Sequence, residues 1–383
     1  MVSIHIKICG LKYKFFIGGM QMTNPTILLK DNDRHRQYTG VDKFHRAGYY
    51  GERVRAASGE TWPISKYNPG CKVFDPLGIG FGSDDHPINT AATFFQVAPK
   101  AELYMLYSTN GSYSGDDVNY TSKFFQYSTN IIEKYNITNM FVSLNTSRHK
   151  KFFEDLKNWY IMHPDFKPFW CAGNDSDKKY NTIMEIDEVI GVAAYTLMMS
   201  GDVVPAYYSS IAKYVDFSAP SMIYLNPDAT KADDTAYPNA GTSFATPWLC
   251  GMSCLVDDFF IDKTGKPLTR DGMVQFFKDH CVDIGDKGFD KKTGFGAVVL
   301  PDPSEIDVQK YYKIGRSSEQ TMGILDKFAD KEEVSTWARE DVEWAVKNGI
   351  INGISETQYA PKCDVTREQM AVIFHRFYTM LHK

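Results

Sequence analysis

The feature that most constrains this chain is an alternation that runs from about residue 41 to residue 300. Short apolar runs, AELYMLY (101–107), NMFVSL (139–144), PFWCA (168–172) and VIGVAA (189–194), are separated by stretches with helical periodicity at 120–135 and 149–159. Runs of that length, apolar almost throughout, read as strands covered on both faces, and the amphipathic stretches between them read as crossover helices. The pattern predicts an α/β domain built on a doubly wound, mostly parallel sheet with helices on both faces. It does not name a chemistry, because unrelated enzymes share that architecture.

At 383 residues there is room for two domains, and 43% hydrophobic with 23% charged residues is the balance of a folded chain. A net charge of −5 without a basic stripe excludes a nucleic-acid footprint. The seven cysteines (Cys9, Cys71, Cys171, Cys250, Cys254, Cys281 and Cys363) form no C-x-x-C pair, so neither a disulfide framework nor a zinc site is expected. Cys250 and Cys254, one helical turn apart, read as core residues. The first 22 residues are interrupted by Lys7, Lys12 and Lys14 and precede no A-x-A site, so a secretory leader is not expected there and synthesis is expected in a cytoplasm. No run reaches the roughly 18 apolar residues of a membrane span.

The chain divides, by composition, into an N-terminal arm (1–40), the α/β domain (41–301), a linker with a Pro pair and charges (302–323) and a C-terminal module (324–383). Within the module, residues 330–350 read as one amphipathic helix with Trp337, Val342, Ala345 and Val346 on a face. Residues 366–381 read as a second helix, with Thr366 and Gln369 spaced as a capping box. The module is therefore expected to be small and all-α.

The sharpest local signal for chemistry is GTSFATP, Gly241 to Pro247, followed by the apolar helical run WLCGMSCLV. Small residues ahead of Ser243 and a helix beginning at it place a hydroxyl and a free first-turn amide together at a positive helix end, which suits a developing oxyanion. Pro247 is tolerated in the first turn. By itself a Gly-Thr-Ser before a helix is more often only an N-cap, so the motif alone leaves both readings open.

GTSFATP resembles the nucleophile motif of the subtilase family, and further segments resemble that family in the same order: CAGN (171–174), VIGVAA (189–194), VDFSAP (215–220), TGFGAVVLP (293–301) and VAPKAELYMLY (97–107). The resemblance implies a subtilisin-like fold, Ser243 as nucleophile and Asn174 as the side-chain donor of the oxyanion hole. Its register places His86, in DDHPINTAATFF, as general base, although Pro87-Ile88 stands where the family has Gly-Thr. The same register sets Glu60, in GYYGERVRAASGETW, where the family has the triad aspartate, behind a strand in which Ser58 and Gly59 replace two apolar residues. A carboxylate there must hold the imidazole tautomer and stabilise the imidazolium. Asp75 is the nearby alternative, Asp84 and Asp85 lie too close in sequence to reach behind the ring easily, and a site with no competent third group is the remaining alternative. VSLN, 142–145, resembles the segment that pairs with extended substrate, which makes Ser143, Leu144, Asn145 and Gly173 the expected substrate-binding residues, with Asn145 where the family has glycine. Trp248 stands where the family has a histidine.

The C-terminal module resembles an S-layer homology repeat over Phe328 to Phe377, through Trp337, Gly349–Gly353, Tyr359-Ala360-Pro361 and Thr366-Arg367-Glu368. That resemblance implies contact with secondary cell-wall polysaccharide, with Trp337 and Arg367 as the binding residues; the helix pair could equally serve oligomerisation. The expectation is a serine endopeptidase acting on protein or peptide through Ser243, His86, Glu60 and Asn174. No cofactor or metal is expected, and the enzyme would be directed to a bacterial cell envelope or be extracellular after release. The alternative is a catalytically degenerate subtilase fold kept as a structural or wall-binding component, including one that is phage-borne.

Overall fold

The computed structural model describes residues 3–8, 11–16, 28–60, 71–76, 85–107, 118–145, 150–225, 237–316, 325, 327–335 and 338–381. They form two compact units, Met1–Tyr311 and Tyr312–Lys383.

The first unit is organised by a ten-stranded sheet. Its strands are β3 (Arg55–Glu60), β4 (Lys72–Phe74), β5 (Glu102–Tyr107), β6 (Asn139–Val142), β7 (Lys167–Cys171), β8 (Ile190–Leu197), β9 (Val203–Pro205), β10 (Phe217–Pro220), β13 (Cys281–Val282) and β14 (Ala297–Val298). They lie in the order β13-β14-β10-β8-β7-β6-β3-β5-β4, with β9 paired to β8. The pairs are parallel except β13 with β14 and β8 with β9. Two antiparallel pairs lie outside this sheet: β1 (Ser3–Ile8) with β2 (Leu11–Phe16), and β11 (Ile223–Leu225) with β12 (Tyr237–Asn239). The helices are α1 (Asp33–Tyr38), α2 (Val41–Arg46), α3 (Asp85–Phe95), α4 (Val118–Lys134), α5 (Lys150–Met162), α6 (Thr242–Thr264), α7 (Arg270–Asp279) and α8 (Val308–Tyr312). The expected doubly wound, mostly parallel sheet is present.

Alternation along the central strands shows how both faces are filled. Met140, Val142 and Trp170 join Ile132 of α4 and Phe152, Leu156 and Tyr160 of α5 in one core cluster. Phe141 between them stacks on Phe94 of α3 at 5.6 Å, and Phe169 meets Phe277 of α7. This is why these strands read as continuous apolar runs rather than as alternating ones. A buried charge stands at the start of β7: Lys167, whose Nζ lies 3.0 Å from Asp257 Oδ2 and also donates to the Leu268 carbonyl. Helix α6 is long and apolar enough to cross a membrane by composition, but 94% of its apolar window is buried inside this unit, so it is the core helix.

Two expected boundaries change. Residues 28–40, read as part of an arm, belong to the folded unit: Asn32 Nδ2 donates to Tyr224 O at 2.8 Å, Tyr224 N–H donates back to Asn32 Oδ1 at 2.9 Å, and Arg36 Nη1 reaches Gln96 Oε1 at 3.1 Å. These polar residues are buried because each has a long-range partner, which local composition does not reveal. The segment read as a linker from 302 begins as ordered structure, a 3₁₀ turn at Pro303–Glu305 and then α8, where buried Tyr311 packs edge-on against Phe276 at 5.0 Å.

In the second unit, Leu325, Phe328, Val334 and Val346 form a small core with Val342 and Tyr359 against it. The single helix expected over 330–350 is instead a 3₁₀ turn, Lys331–Glu333, followed by a helix at Arg339–Lys347. Ahead of the 3₁₀ turn, the Asp330 carboxylate accepts the amides of Tyr359 at 2.9 Å and Ala360 at 2.7 Å. Those two amides hold the Asp330 carboxyl below the usual carboxylate range. The last helix, Arg367–Leu381, starts with the expected reciprocal cap: Gln369 N–H donates to Thr366 Oγ1 at 3.1 Å, and Thr366 N–H donates to Gln369 Oε1 at 2.9 Å.

Candidate active site

From β3 the chain runs first to β4 and β5 on one side, then returns past β3 to β6, β7 and β8 on the other. The strand order therefore reverses between β3 and β6, and the carboxyl ends of the strands at such a reversal form the natural crevice of a doubly wound sheet. The sequence-predicted residues gather there. Glu60 is the last residue of β3, Ser143–Asn145 follow β6, and Gly173–Asn174 follow β7.

Glu60 and His86 are brought into contact: His86 Nδ1 lies 3.1 Å from Glu60 Oε2, with the Glu60 side chain only 3% exposed. A carboxylate that accepts from Nδ1 sets the imidazole tautomer in which Nε2 is the acceptor. The second carboxylate oxygen is also engaged, because Thr90 Oγ1 lies 2.8 Å from Glu60 Oε1. Thr90 is a site residue that the sequence reading missed; the signal available was a hydroxyl one helical turn after the histidine. Asp75 follows β4 and Asp85 is the first residue of α3, while Glu60 is in contact with Nδ1 of His86. Asp84 lies outside the described residues.

The approach of β3 explains its unusual sequence. A β-carbon at Gly59 would come within 2.8 Å of Val142 Cγ2, so only glycine lets β3 and β6 pair closely at this end.

Ser243 is the second residue of α6 and half-buried, and its amide belongs to the first turn, where no preceding carbonyl is in reach. Gly241, ahead of it, has φ 140°, a conformation that favours glycine. Its N–H donates to Tyr208 Oη at 3.0 Å, and Tyr208 donates to Ser221 Oγ at 2.7 Å, so the entry to α6 is anchored to the loop before β10. The Ser243 hydroxyl donates to the Ser143 carbonyl at 3.3 Å, while the Ser143 hydroxyl donates to the Ser243 carbonyl at 2.8 Å. The next residue, Phe244, sets its ring 6.3 Å from the His86 imidazole.

Asn174 faces the same turn. Its Oδ1 accepts Thr242 N–H at 2.9 Å and the Thr242 hydroxyl at 3.1 Å, which fixes the amide orientation and leaves Nδ2 as the donor beside the helix start. Around the expected substrate wall, the Leu144 carbonyl accepts Asn181 Nδ2 at 2.8 Å, and Asn145 Oδ1 lies 3.6 Å from the place of a β-carbon on Gly173. In the second unit, Arg367 is exposed at the start of the last helix. Trp337 lies outside the described residues. Among the described residues no cluster of three or more His, Cys, Asp or Glu side chains could hold a metal ion.

A serine at the start of a buried core helix and a histidine paired with a carboxylate thus belong to one α/β domain with a mostly parallel sheet. The subtilase family matches residues 78–296, more than half of the 383-residue chain, and the chain belongs to that family. Glu60 precedes the matched span, so its place at the site rests on the contact with His86. The S-layer homology domain matches residues 327–371. Among solved structures, the fold is shared with the prenylagaramide maturation protease PagA (14% identity, 70% of this chain and 97% of that one, TM-score 0.54). It is shared with the PatG macrocyclase domain (12%, 71% and 97%, TM-score 0.57). It is also shared with fervidolysin from Fervidobacterium pennivorans (14%, 75% and 50%, TM-score 0.53). At such identities the likeness speaks for the fold. Comparison with curated protein sequences gives no match.

Proposed function

We propose that the chain is a serine endopeptidase in which Ser243 attacks the peptide carbonyl, His86 takes its proton and Glu60 holds the imidazole. The observation that carries this reading is the 3.1 Å contact of His86 Nδ1 with buried Glu60 at the strand reversal. With Nδ1 protonated, Nε2 is the base. It accepts the Ser243 proton as the Oγ–carbonyl bond forms and returns it to the leaving amine as the tetrahedral intermediate collapses. Water repeats the cycle on the acyl-enzyme. The Ser243 amide and Asn174 Nδ2 are the donors for the oxyanion. Ser143, Leu144, Asn145 and Gly173 form the wall along which extended peptide lies.

The S-layer homology domain supports a place at the cell envelope, with exposed Arg367, and Trp337 of the same module, meeting an acidic wall polysaccharide through the guanidinium fork. The test is a fluorophosphonate probe on the purified full-length protein beside Ser243→Ala. Labelling of the wild type and not of the variant is expected. A wild type that stays unlabelled while a control subtilisin reacts sinks the enzyme reading and leaves the degenerate, structural or wall-binding one.

A further inference from the structure

Glu60 differs from an aspartate by one methylene, and its terminal torsion is broad, so a carboxylate held by one oxygen would swing. Here both oxygens are held from one helix. His86 and Thr90 stand four residues apart on α3, hence on one face, and their side chains take Oε2 at 3.1 Å and Oε1 at 2.8 Å. Two fixed points define the carboxylate plane and keep Oε2 aimed at Nδ1.

The Thr90 hydroxyl has one proton and two acceptors within reach, Glu60 Oε1 at 2.8 Å and the Pro87 carbonyl at 3.1 Å. Turned toward Pro87, it would leave two oxygens facing each other without a proton between them, beside a carboxylate that is 2% exposed. The charge-assisted bond to Glu60 is therefore the one formed when Glu60 is ionised. Thr90 itself is fully buried, so no bulk water competes for the position.

We propose that Thr90 is a positioning residue: its hydroxyl fixes the second oxygen of Glu60 and so lets a glutamate serve where the family carries aspartate. The inference rests on the peptidase reading above. It acts through Glu60 and Thr90 touches no reacting atom.

The experiment measures the rate of fluorophosphonate labelling of the full-length protein for Thr90→Val, Thr90→Ser and Thr90→Ala, each also in a Glu60→Gln background, with melting temperatures alongside. Thr90→Val and Thr90→Ala should label roughly ten- to hundredfold more slowly, the worth of one hydrogen bond to a charged group. Thr90→Ser, which keeps the hydroxyl, should stay within about threefold of wild type. In the Glu60→Gln background the loss should shrink to less than about twofold, since the group Thr90 acts through is gone. If Thr90→Val does not fold, the Thr90→Ala and Thr90→Ser pair gives the same comparison. A Thr90→Ala rate within twofold of wild type, or an equal loss in both backgrounds, overturns the positioning role while leaving the peptidase standing. A wild type that never labels overturns the peptidase and the inference with it.

Discussion

His35 offers a stability prediction with a definite sign. It sits on α1 at 5% exposure, edge-on to Trp248 at 5.9 Å, and among the described residues neither ring nitrogen has a hydrogen-bond partner. Burial, aided by Arg34 and Arg36, lowers its pKa from 6.5 to about 4. The unfolded chain therefore takes up a proton on this ring below about pH 6.5, while the folded chain resists doing so until about pH 4. Stability drawn from this residue is intact above the unfolded value and falls as pH drops through the window between them. Linkage over that window gives a loss of about 2 kcal/mol between pH 7 and pH 5. His45, also lowered to about 4 by burial, acts in the same sense, and Asp216, raised to about 6 by burial, acts in the opposite one. A variant comparison isolates His35 because both proteins retain the other two. His35→Phe removes the titration and, with no hydrogen bond to lose, keeps a ring of similar shape. Urea unfolding of the full-length protein at pH 7 and pH 5, followed by tryptophan fluorescence, should show the variant gaining about 2 kcal/mol on the wild type as pH falls. A pH dependence matching the wild type within about 0.5 kcal/mol refutes the argument.

Three further outcomes can be measured directly. Asn174→Ala should lower kcat by roughly 10² to 10³ with KM nearly unchanged, because Nδ2 acts on the developing oxyanion; steady-state kinetics on a peptide substrate reads both, and an unchanged kcat removes Asn174 from that role. Gly59→Ala should destabilise the first unit by about 1–3 kcal/mol, since the new methyl meets Val142 Cγ2 at 2.8 Å between paired strands; denaturant midpoints check it, and a neutral effect would show that β6 yields easily. Arg367→Ala in the full chain should reduce sedimentation with purified cell walls, and unchanged sedimentation would turn attention to an oligomerisation role for the module.

The sheet was legible because its central strands are covered on both faces, which leaves continuous apolar runs that local reading detects. What escaped local reading depends on distant partners. Asn32 and Arg36 look like arm residues until Tyr224 and Gln96 are placed beside them. Ser58-Gly59 looks like a weak strand until Val142 is seen to need the space. The helix over 330–350 has the right periodicity, yet Asp330 is committed to amides almost thirty residues away. At the site, the pairing of His86 with Glu60 followed from register, whereas Thr90 did not, because a threonine inside a helix ordinarily turns its hydroxyl to its own backbone.

The departures from the family pattern at 60, 87 and 248 have local counterparts that bear on whether the site works. Pro87 falls in the first turn of α3, where its missing N–H has no carbonyl to lose. Trp248 is fully buried and meets His35 of the N-terminal segment. Glu60 is the most telling. A carboxylate at 2% exposure is costly, and an apolar side chain of similar volume would stabilise the same position as well or better. Stability alone gives no reason for a charge there, nor for a histidine and a threonine spaced to take its two oxygens. Orienting the His86 imidazole, the role proposed for it above, does give one. The contacts at 3.1 Å and 2.8 Å hold that carboxylate by both oxygens, as the proposed role requires.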